Sequence, residues 1–299
     1  MDPDFEAVSK ITIPLILDRK LRGERLTCLT AYDYPTARLV DEAAIDMILV
    51  GDSLAQTVLG YETTVPVTAE EMLHHLKAVR RAVRRALLIG DLPFGAYHTE
   101  PARAVEIAIR YLKEGGAEAV KLEGGRRRAE AIRKLVEAEI PVMAHIGLTP
   151  QSVHSLGGYR VQGKTLDSAG EILADAEAVE DAGAFAVVLE GVPRELAAVI
   201  TRRLRIPTIG IGAGPDCDGQ VLVLHDLMGL SFHPPAKFVR RYADVDQILR
   251  QALAQYRQDV LAGDYPNDRE SYHWPAAVRQ EFERVRALRH VSLPATASR

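Results

Sequence analysis

Only two cysteines, Cys28 and Cys217, occur in 299 residues, which excludes a disulfide framework and fits a reducing compartment. Cys28 lies in an apolar run and Cys217 in a Gly/Asp/Pro turn; neither context activates a thiolate. No apolar run approaches the roughly eighteen residues of a membrane span, and the acidic, polar start MDPDFEAVSK is unlike a secretory leader. A surplus of positive charge is missing too: the formal net charge of −4 argues against broad binding to nucleic acid or to anionic membranes. Histidines paired at metal-ligand spacing are also absent. These absences point to a cytoplasmic protein that works on small molecules.

What is present is a large apolar fraction, 47 % of residues, and one recurring stretch. A short Val/Ile/Leu run ending in a carboxylate occurs as MILVGDS, ALLIGDLP, AVKLEGG and FAVVLEGV, which carry Asp52, Asp91, Glu123 and Glu190. Each run is short enough to be a strand buried on both faces. A carboxylate does not belong in a dry core without a partner. Four of them where strand becomes loop suggest one shared mouth, the place where parallel barrels put their chemistry.

Taken in order, the chain opens with a loose segment, residues 1–10. A short helix within Ile11–Glu24 follows, placed to close the bottom of a barrel. Eight strand-like runs come next: Arg25–Asp33, those ending at Asp52 and Asp91, the run carrying Lys121 and Glu123, Ile140–Pro150, the run ending at Glu190, Ile206–Pro215 and Gln220–Leu230. Helices are expected between most of them, one of them N-capped by Thr68 with Glu70 and Glu71 in its first turn. The alternation implies a parallel sheet. The likeness of GGAEAVKLEGG to AGAFAVVLEGV favours a closed ring over a doubly wound sheet. The linker between the last two runs is too short for a crossover helix of about a dozen residues. The reading is a single (β/α)8 TIM barrel: residues 1–24 the N-terminal segment and closing helix, 25–265 the barrel, and 266–299 a tail, partly helical and disordered at its end. Within Pro234–Pro266, Leu249, Leu253, Tyr256 and Val260 recur at helical spacing. The adjacent His74 and His75 are read as surface residues, and the arginines at 80, 81, 84 and 85 as a solvated helix face.

Asp52, Asp91 and Glu123 come from three successive strands, and adjacent parallel strands lie about 5 Å apart. Three such anions repel unless a cation sits among them. An all-oxygen donor set favours a hard ion, Mg²⁺ first. The alternative is that strand-end carboxylates cap helices or pair with arginines. Lys121, two residues before Glu123, faces the same side; it would pair with the carboxylates or hold an anionic substrate, and the acids nearby would keep it protonated. Glu190, alone on its strand opposite the acidic cluster, is a candidate base or a salt-bridge partner. His145 could donate to a developing oxyanion or be a satisfied core histidine. GIGAG, Gly210–Gly214, could cradle an anion or simply turn. A consistent scheme has a metal-chelated 2-oxo acid lose the proton next to its carbonyl and the enolate attack an electrophile. The spacing does not name that electrophile.

Several stretches, among them TAYDYPTARLVDEA, ILVGDSLAQTVLGYETTVPVT, VKLEGG, HIGLTPQSVHSLGGYRVQGK, VLEGVP and IPTIGIGAGPDCDGQVLVLHD, span Thr30 to about Asp226. They closely resemble the ketopantoate hydroxymethyltransferase family. The resemblance implies a (β/α)8 barrel that binds Mg²⁺ and 3-methyl-2-oxobutanoate. It also implies a one-carbon unit taken from 5,10-methylenetetrahydrofolate to make 2-dehydropantoate, on the route to pantothenate. By its motifs, Asp52, Asp91 and Glu123 resemble the metal site; Asp52 and Asp91 with Ser53 and Lys121 resemble the residues that hold the oxo acid. Glu190 resembles the proton acceptor, and His145 matches a histidine of the site. Members are usually homo-oligomers, commonly decamers. The chain departs from the pattern at Gly90 and Gly95, where bulkier residues are usual, at Ala144, and in a longer tail. A rival reading is a metal-dependent lyase of the phosphoenolpyruvate-mutase type; it usually needs a cysteine on a mobile loop, which neither Cys28 nor Cys217 supplies. A non-enzymatic barrel kept for assembly is the other rival, disfavoured by Asp52, Asp91, Lys121, Glu123 and Glu190 occurring together.

Overall fold

The computed structural model describes residues 9–288. Apart from Ser9 and Lys10, the loose start expected of residues 1–10 lies outside them, as does the disordered end expected of the tail. The chain forms two compact units, one up to Asp244 and one from Val245 onward.

In the first unit, eight strands pair in parallel in sequence order and close on themselves. They are β1 (Leu26–Thr30), β2 (Met47–Val50), β3 (Leu87–Asp91), β4 (Ala119–Glu123), β5 (Val142–Gly147), β6 (Ala186–Glu190), β7 (Thr208–Ile211) and β8 (Gly219–Leu222). Helix α1 (Ile13–Arg22) precedes β1. The others are α2 (Tyr34–Glu42), α3 (Leu54–Thr57), α4 (Ala69–Arg80), α5 (Pro101–Lys113), α6 (Ala129–Glu137), α7 (Val153–Leu156), α8 (Leu166–Asp181), α9 (Arg194–Arg203) and α10 (Leu224–Met228). The (β/α)8 barrel expected from the alternation is therefore present, with one crossover missing: residues 212–218 join β7 to β8 without a helix.

Strand periodicity divides the core in two. Leu87 and Ile89 of β3, Ala119 of β4, Met143 of β5 and Val188 of β6 point into the barrel, while their sequence neighbours Leu88, Val120, Val142 and Leu189 pack beneath the helices. Ile11 and Ile16, fully buried, join the inner cluster beside Leu26 and Met47. The first helix and the residue pair before it thus plug the floor, each isoleucine contributing about 1.5–3 kcal/mol by leaving water.

The helices start where their side chains satisfy the first free N–H groups. The Glu71 N–H donates to Thr68 Oγ1 (3.2 Å) while Thr68 N–H donates to Glu71 Oε2 (2.8 Å), closing the cap of α4 expected at Thr68. The stripe Met72, Leu73, Leu76 and Val79 then faces inward. Gly90 leaves room on β3 for this packing: a Cβ there would stand 2.9 Å from both Leu76 Cδ1 and Tyr111 Cδ2. The space beside Gly90 is filled by Tyr111 of α5.

The arginines at 84 and 85 lie beyond α4, and Arg85 is drawn in, its Nη1 donating to the Ala44 and Ile45 carbonyls (2.8 and 3.0 Å), instead of joining a solvated helix face. The eighth apolar run, Gln220–Leu230, is not one strand as its composition suggests: β8 ends at Leu222 and α10 follows. A short apolar run does not separate strand from buried helix, and the Leu224 N–H bonds Thr30 Oγ1 (3.0 Å) instead of extending the ladder. His75 is half-buried rather than a surface residue, with Nδ1 2.6 Å from the Tyr32 carbonyl.

At the floor, Asp46 accepts from Arg19 Nη1 (2.8 Å), Thr27 N–H (3.0 Å), Thr27 Oγ1 (2.8 Å) and Arg85 Nη2 (3.2 Å). It so ties α1 to β1 and to the start of β3. Burial alone would raise its pKa, but the Thr27 and arginine donors outweigh burial and hold the carboxyl below the usual aspartate value. A depressed folded-state pKa adds stability above the unfolded value, and that stability is lost as pH falls through the folded value. Asp46→Asn is therefore expected to lower stability at pH 7 by about 1–3 kcal/mol, with the gap to wild type closing as pH drops below about 4. Urea titrations across pH read this directly; a gap independent of pH would assign the loss to packing.

The second unit contains α11 (Val245–Ala262) and α12 (Ala276–Leu288). The expected stripe of Leu249, Leu253, Tyr256 and Val260 lies on α11, exposed in the single chain. No helix among the described residues is long and apolar enough to cross a membrane.

Candidate active site

The period of two that sends Leu87 and Ile89 inward sends Asp91 inward as well, and on β4 it does so for Lys121 and Glu123. Lateral register then sets neighbours: Asp91 lies beside Lys121, Glu123 beside His145, and Gly147 beside Glu190. Asp52 and Ser53, just past the end of β2, line one cavity of about 170 Å³ with Asp91, Lys121, Glu123, His145 and Glu190 at the C-terminal ends of the strands. Every site residue expected from the sequence reaches it.

Asp52, Asp91, Lys121, Glu123 and His145 are all at most 5 % exposed. Lys121 Nζ donates to both oxygens of Asp91 (2.8 and 2.7 Å). Asp91 Oδ2 also accepts the Asp52 N–H (3.1 Å), so the two aspartates adjoin. Burial first, then the charges of Asp91 and Glu123, push the Asp52 carboxyl well above its ordinary range. Burial also raises Asp91, against the pull of Lys121. Lys121 is raised despite burial, because Asp91, Glu123 and Asp52 surround it. Burial would raise Glu123 too, but His145, Lys121 and the Gln151 N–H outweigh it and hold its carboxyl below the usual value.

Glu190 is not alone. His145 stands between two carboxylates, Nδ1 3.4 Å from Glu123 Oε1 and Nε2 3.2 Å from Glu190 Oε2. Neither nitrogen is aligned for a hydrogen bond, so the contact is one of charge. Burial would lower the imidazole pKa, but the two glutamates lift it to about 9. His145 is thus a cation at neutral pH, its nitrogens facing carboxylates.

Sequence reasoning missed Gln151 and Tyr97. Gln151 Nε2 donates to Asp52 Oδ2 (2.9 Å) and to the Leu92 carbonyl (3.0 Å), and its N–H donates to Glu123 Oε2 (3.0 Å). Tyr97 donates to Gln151 Oε1 (2.6 Å) and accepts the Glu123 N–H (3.1 Å). This buried network fixes Asp52 and Glu123 relative to each other, and Gln151 sits inside the string HIGLTPQSV that the sequence already singled out. Ser53 Oγ meets the Tyr32 hydroxyl (2.7 Å). At the GIGAG turn, glycine leaves room for neighbouring side chains: Cβ atoms at Gly212 and Gly214 would strike Phe238 (2.6 Å) and Arg194 (2.7 Å). Both cysteines are buried, Cys28 in the inner cluster of the barrel.

Five carboxylates line the cavity, from Asp52, Asp91, Glu123, Glu190 and Asp226, against the two cationic groups of Lys121 and His145. An anionic substrate gains from added positive charge in such a site. Among the described residues no three His, Cys, Asp or Glu side chains stand closed up as a ready-made cage. Mg²⁺ does not ask for one: it takes one or two carboxylates and fills its octahedron with water and substrate oxygens. The adjoining Asp52 and Asp91 supply two such carboxylates, and Glu123 lines the same cavity from the next strand.

The family model described as ketopantoate hydroxymethyltransferase matches residues 10–268. A curated 3-methyl-2-oxobutanoate hydroxymethyltransferase of Koribacter versatilis is 60 % identical over 282 residues, covering 94 % of this chain and 96 % of that protein. Its counterpart from Trichlorobacter lovleyi is 56 % identical over 263 residues, covering 88 % and 98 %. Among solved structures, phosphonopyruvate hydrolase in complex with oxalate and Mg²⁺ aligns with a TM-score of 0.58 at 16 % identity, over 93 % of this chain and 98 % of that one. 2,3-Dimethylmalate lyase aligns with a TM-score of 0.56 at 18 % identity, over the same shares, 93 % and 98 %. At such identities the likeness is one of fold.

Proposed function

Because the chain belongs to the ketopantoate hydroxymethyltransferase family, we propose that the cavity at the strand ends is where it adds a hydroxymethyl group to 3-methyl-2-oxobutanoate, with Mg²⁺ held by Asp52, Asp91 and Glu123. The activity is transfer of a one-carbon unit in pantothenate synthesis, with 2-dehydropantoate as product and a folate as the donor, here 5,10-methylenetetrahydrofolate. The observation that carries the site reading is five carboxylates against two basic side chains along the wall of a cavity that must admit an anion. When bound, Mg²⁺ would supply positive charge to the acid's carboxylate and keto oxygens and lower the cost of enolate formation.

The chain's own residues do the rest. Ser53 and Lys121, beside Asp52 and Asp91, hold the oxo acid. Glu190 takes the proton from C3, and the His145 imidazolium, 3.2 Å from it, stabilises the carboxylate before the transfer. The C3 electron pair then forms the bond to the one-carbon unit. The two bonds from that carbon to the carrier nitrogens are replaced by the bond to C3 and by a hydroxyl taken from water. Leu49, Val188, Ile211 and Val221 line the same cavity and give the branched alkyl end an apolar wall. The enzyme is cytoplasmic in this reading and a homo-oligomer, a decamer by family resemblance.

The test is proton exchange at C3. In D₂O with Mg²⁺ and no folate, the wild-type enzyme is expected to wash deuterium into 3-methyl-2-oxobutanoate, and chelation of the metal is expected to stop it. Exchange that needs the folate, or that survives chelation, would remove metal-assisted enolisation from the scheme.

A further inference from the structure

The cavity floor is small and charged, whereas the folate donor is large and flat. The buried charges of Asp52, Asp91, Lys121 and Glu123 lie at the bottom of the cavity, so a large donor reaches the acid from the mouth. Two aromatic side chains stand there. Tyr159, in the segment between β5 and α8, is 51 % exposed, and Phe238, beyond α10, is 39 % exposed. Both line the cavity that holds Asp52 and Glu190. They come from loops on different sides of the ring, since β5 and β8 are three strands apart. Among the described residues neither ring stacks on another aromatic ring. Phe238 also has a built seat: Gly212 has φ +63°, and a Cβ there would lie 2.6 Å from Phe238 Cδ1. Glycine at that place therefore lets the ring lie against the end of β7.

We propose that Phe238 and Tyr159 form the binding site for the planar ring system of the one-carbon carrier, presenting aromatic faces at the mouth above the oxo acid. The proposal rests on the reading that the floor holds the acid and that the donor is a folate. Stacking a flat heteroaromatic ring on an aromatic side chain recognises shape and π-surface, and its loss costs roughly tenfold or more in affinity. Rings exposed to solvent in the free enzyme become covered in the ternary complex, which also shields the enolate from water.

The experiment compares side chains that keep bulk with side chains that keep a ring. Tetrahydrofolate is the binding probe, and KM is measured separately for 5,10-methylenetetrahydrofolate and for 3-methyl-2-oxobutanoate. In Phe238→Leu and Tyr159→Leu, the Kd for tetrahydrofolate and the KM for the donor are expected to rise at least about tenfold, with the KM for the acid moving less than about threefold. Phe238→Tyr and Tyr159→Phe, which retain a ring, are expected to recover most of the donor affinity. An unchanged donor KM in the leucine variants overturns the proposal. So does a parallel rise in both KM values, which would make the two rings walls of the acid pocket. Should Phe238→Leu fail to fold, Tyr159→Leu decides by the same split. The wild-type C3 exchange without folate separates the two levels: its absence refutes the reading of the floor, whereas intact exchange with an unmoved donor KM refutes only the aromatic seat.

Discussion

Glu190→Gln is expected to slow C3 proton exchange by about 10²–10⁴-fold, the usual share of a positioned general base. Glutamine keeps the size of the side chain and its place at the end of β6, so the cavity stays formed. What disappears is the acceptor for the proton, together with one of the two carboxylates that face His145. Binding of metal and oxo acid should persist, because Glu190 lies on the far side of His145 from Glu123. The decisive measurement is deuterium incorporation at C3 in D₂O, followed by NMR, alongside a direct titration of the oxo acid. Exchange at the wild-type rate would pass the role of base to another group. Loss of acid binding together with exchange would make Glu190 a structural member of the pocket.

Asp52→Asn should weaken Mg²⁺ affinity in the presence of the oxo acid by at least about 100-fold, more than the loss usual for partners beyond the direct ligands. Asp52 is the better test than Asp91. Both oxygens of Asp91 already accept from Lys121, so removing that carboxylate also strands a buried ammonium and threatens the fold. Asparagine at 52 can still accept from Gln151 Nε2, which now bonds Asp52 Oδ2 at 2.9 Å. Stability should therefore stay near wild type. Calorimetric titration of Mg²⁺, or spin resonance with Mn²⁺ as a stand-in, reads affinity without relying on turnover. An affinity within a few-fold of wild type would take Asp52 out of the metal site and leave Asp91 with Glu123 to be tested.

Where each carboxylate would stand was legible because a strand has a period of two and a parallel barrel has one chemical end. AVKLE must place Lys121 and Glu123 on one face, and the same rule brings Asp91 beside Lys121. The missing crossover between β7 and β8 was legible as well, since the linker is too short for a helix. The end of β8 was not. VLVLHDLMGL is apolar enough for either state, and a hydrogen bond from Leu224 to Thr30, 194 positions earlier in the chain, decides it. No local pattern contains that partner.

The sequence by itself determined the architecture, the side chains that face the barrel axis, and the family, because those depend on periodicity, strand order and long, specific strings. Only the tertiary structure decided who touches whom among them. His145 sits between Glu123 and Glu190 because β5 lies between β4 and β6 and all three side chains end at one level. Gln151 and Tyr97, from separate loops, meet over Asp52 and Glu123 because ring closure brings distant segments of chain above the same mouth. Charges become neighbours through lateral register and closure, and both are properties of the assembled sheet that no single stretch of chain carries.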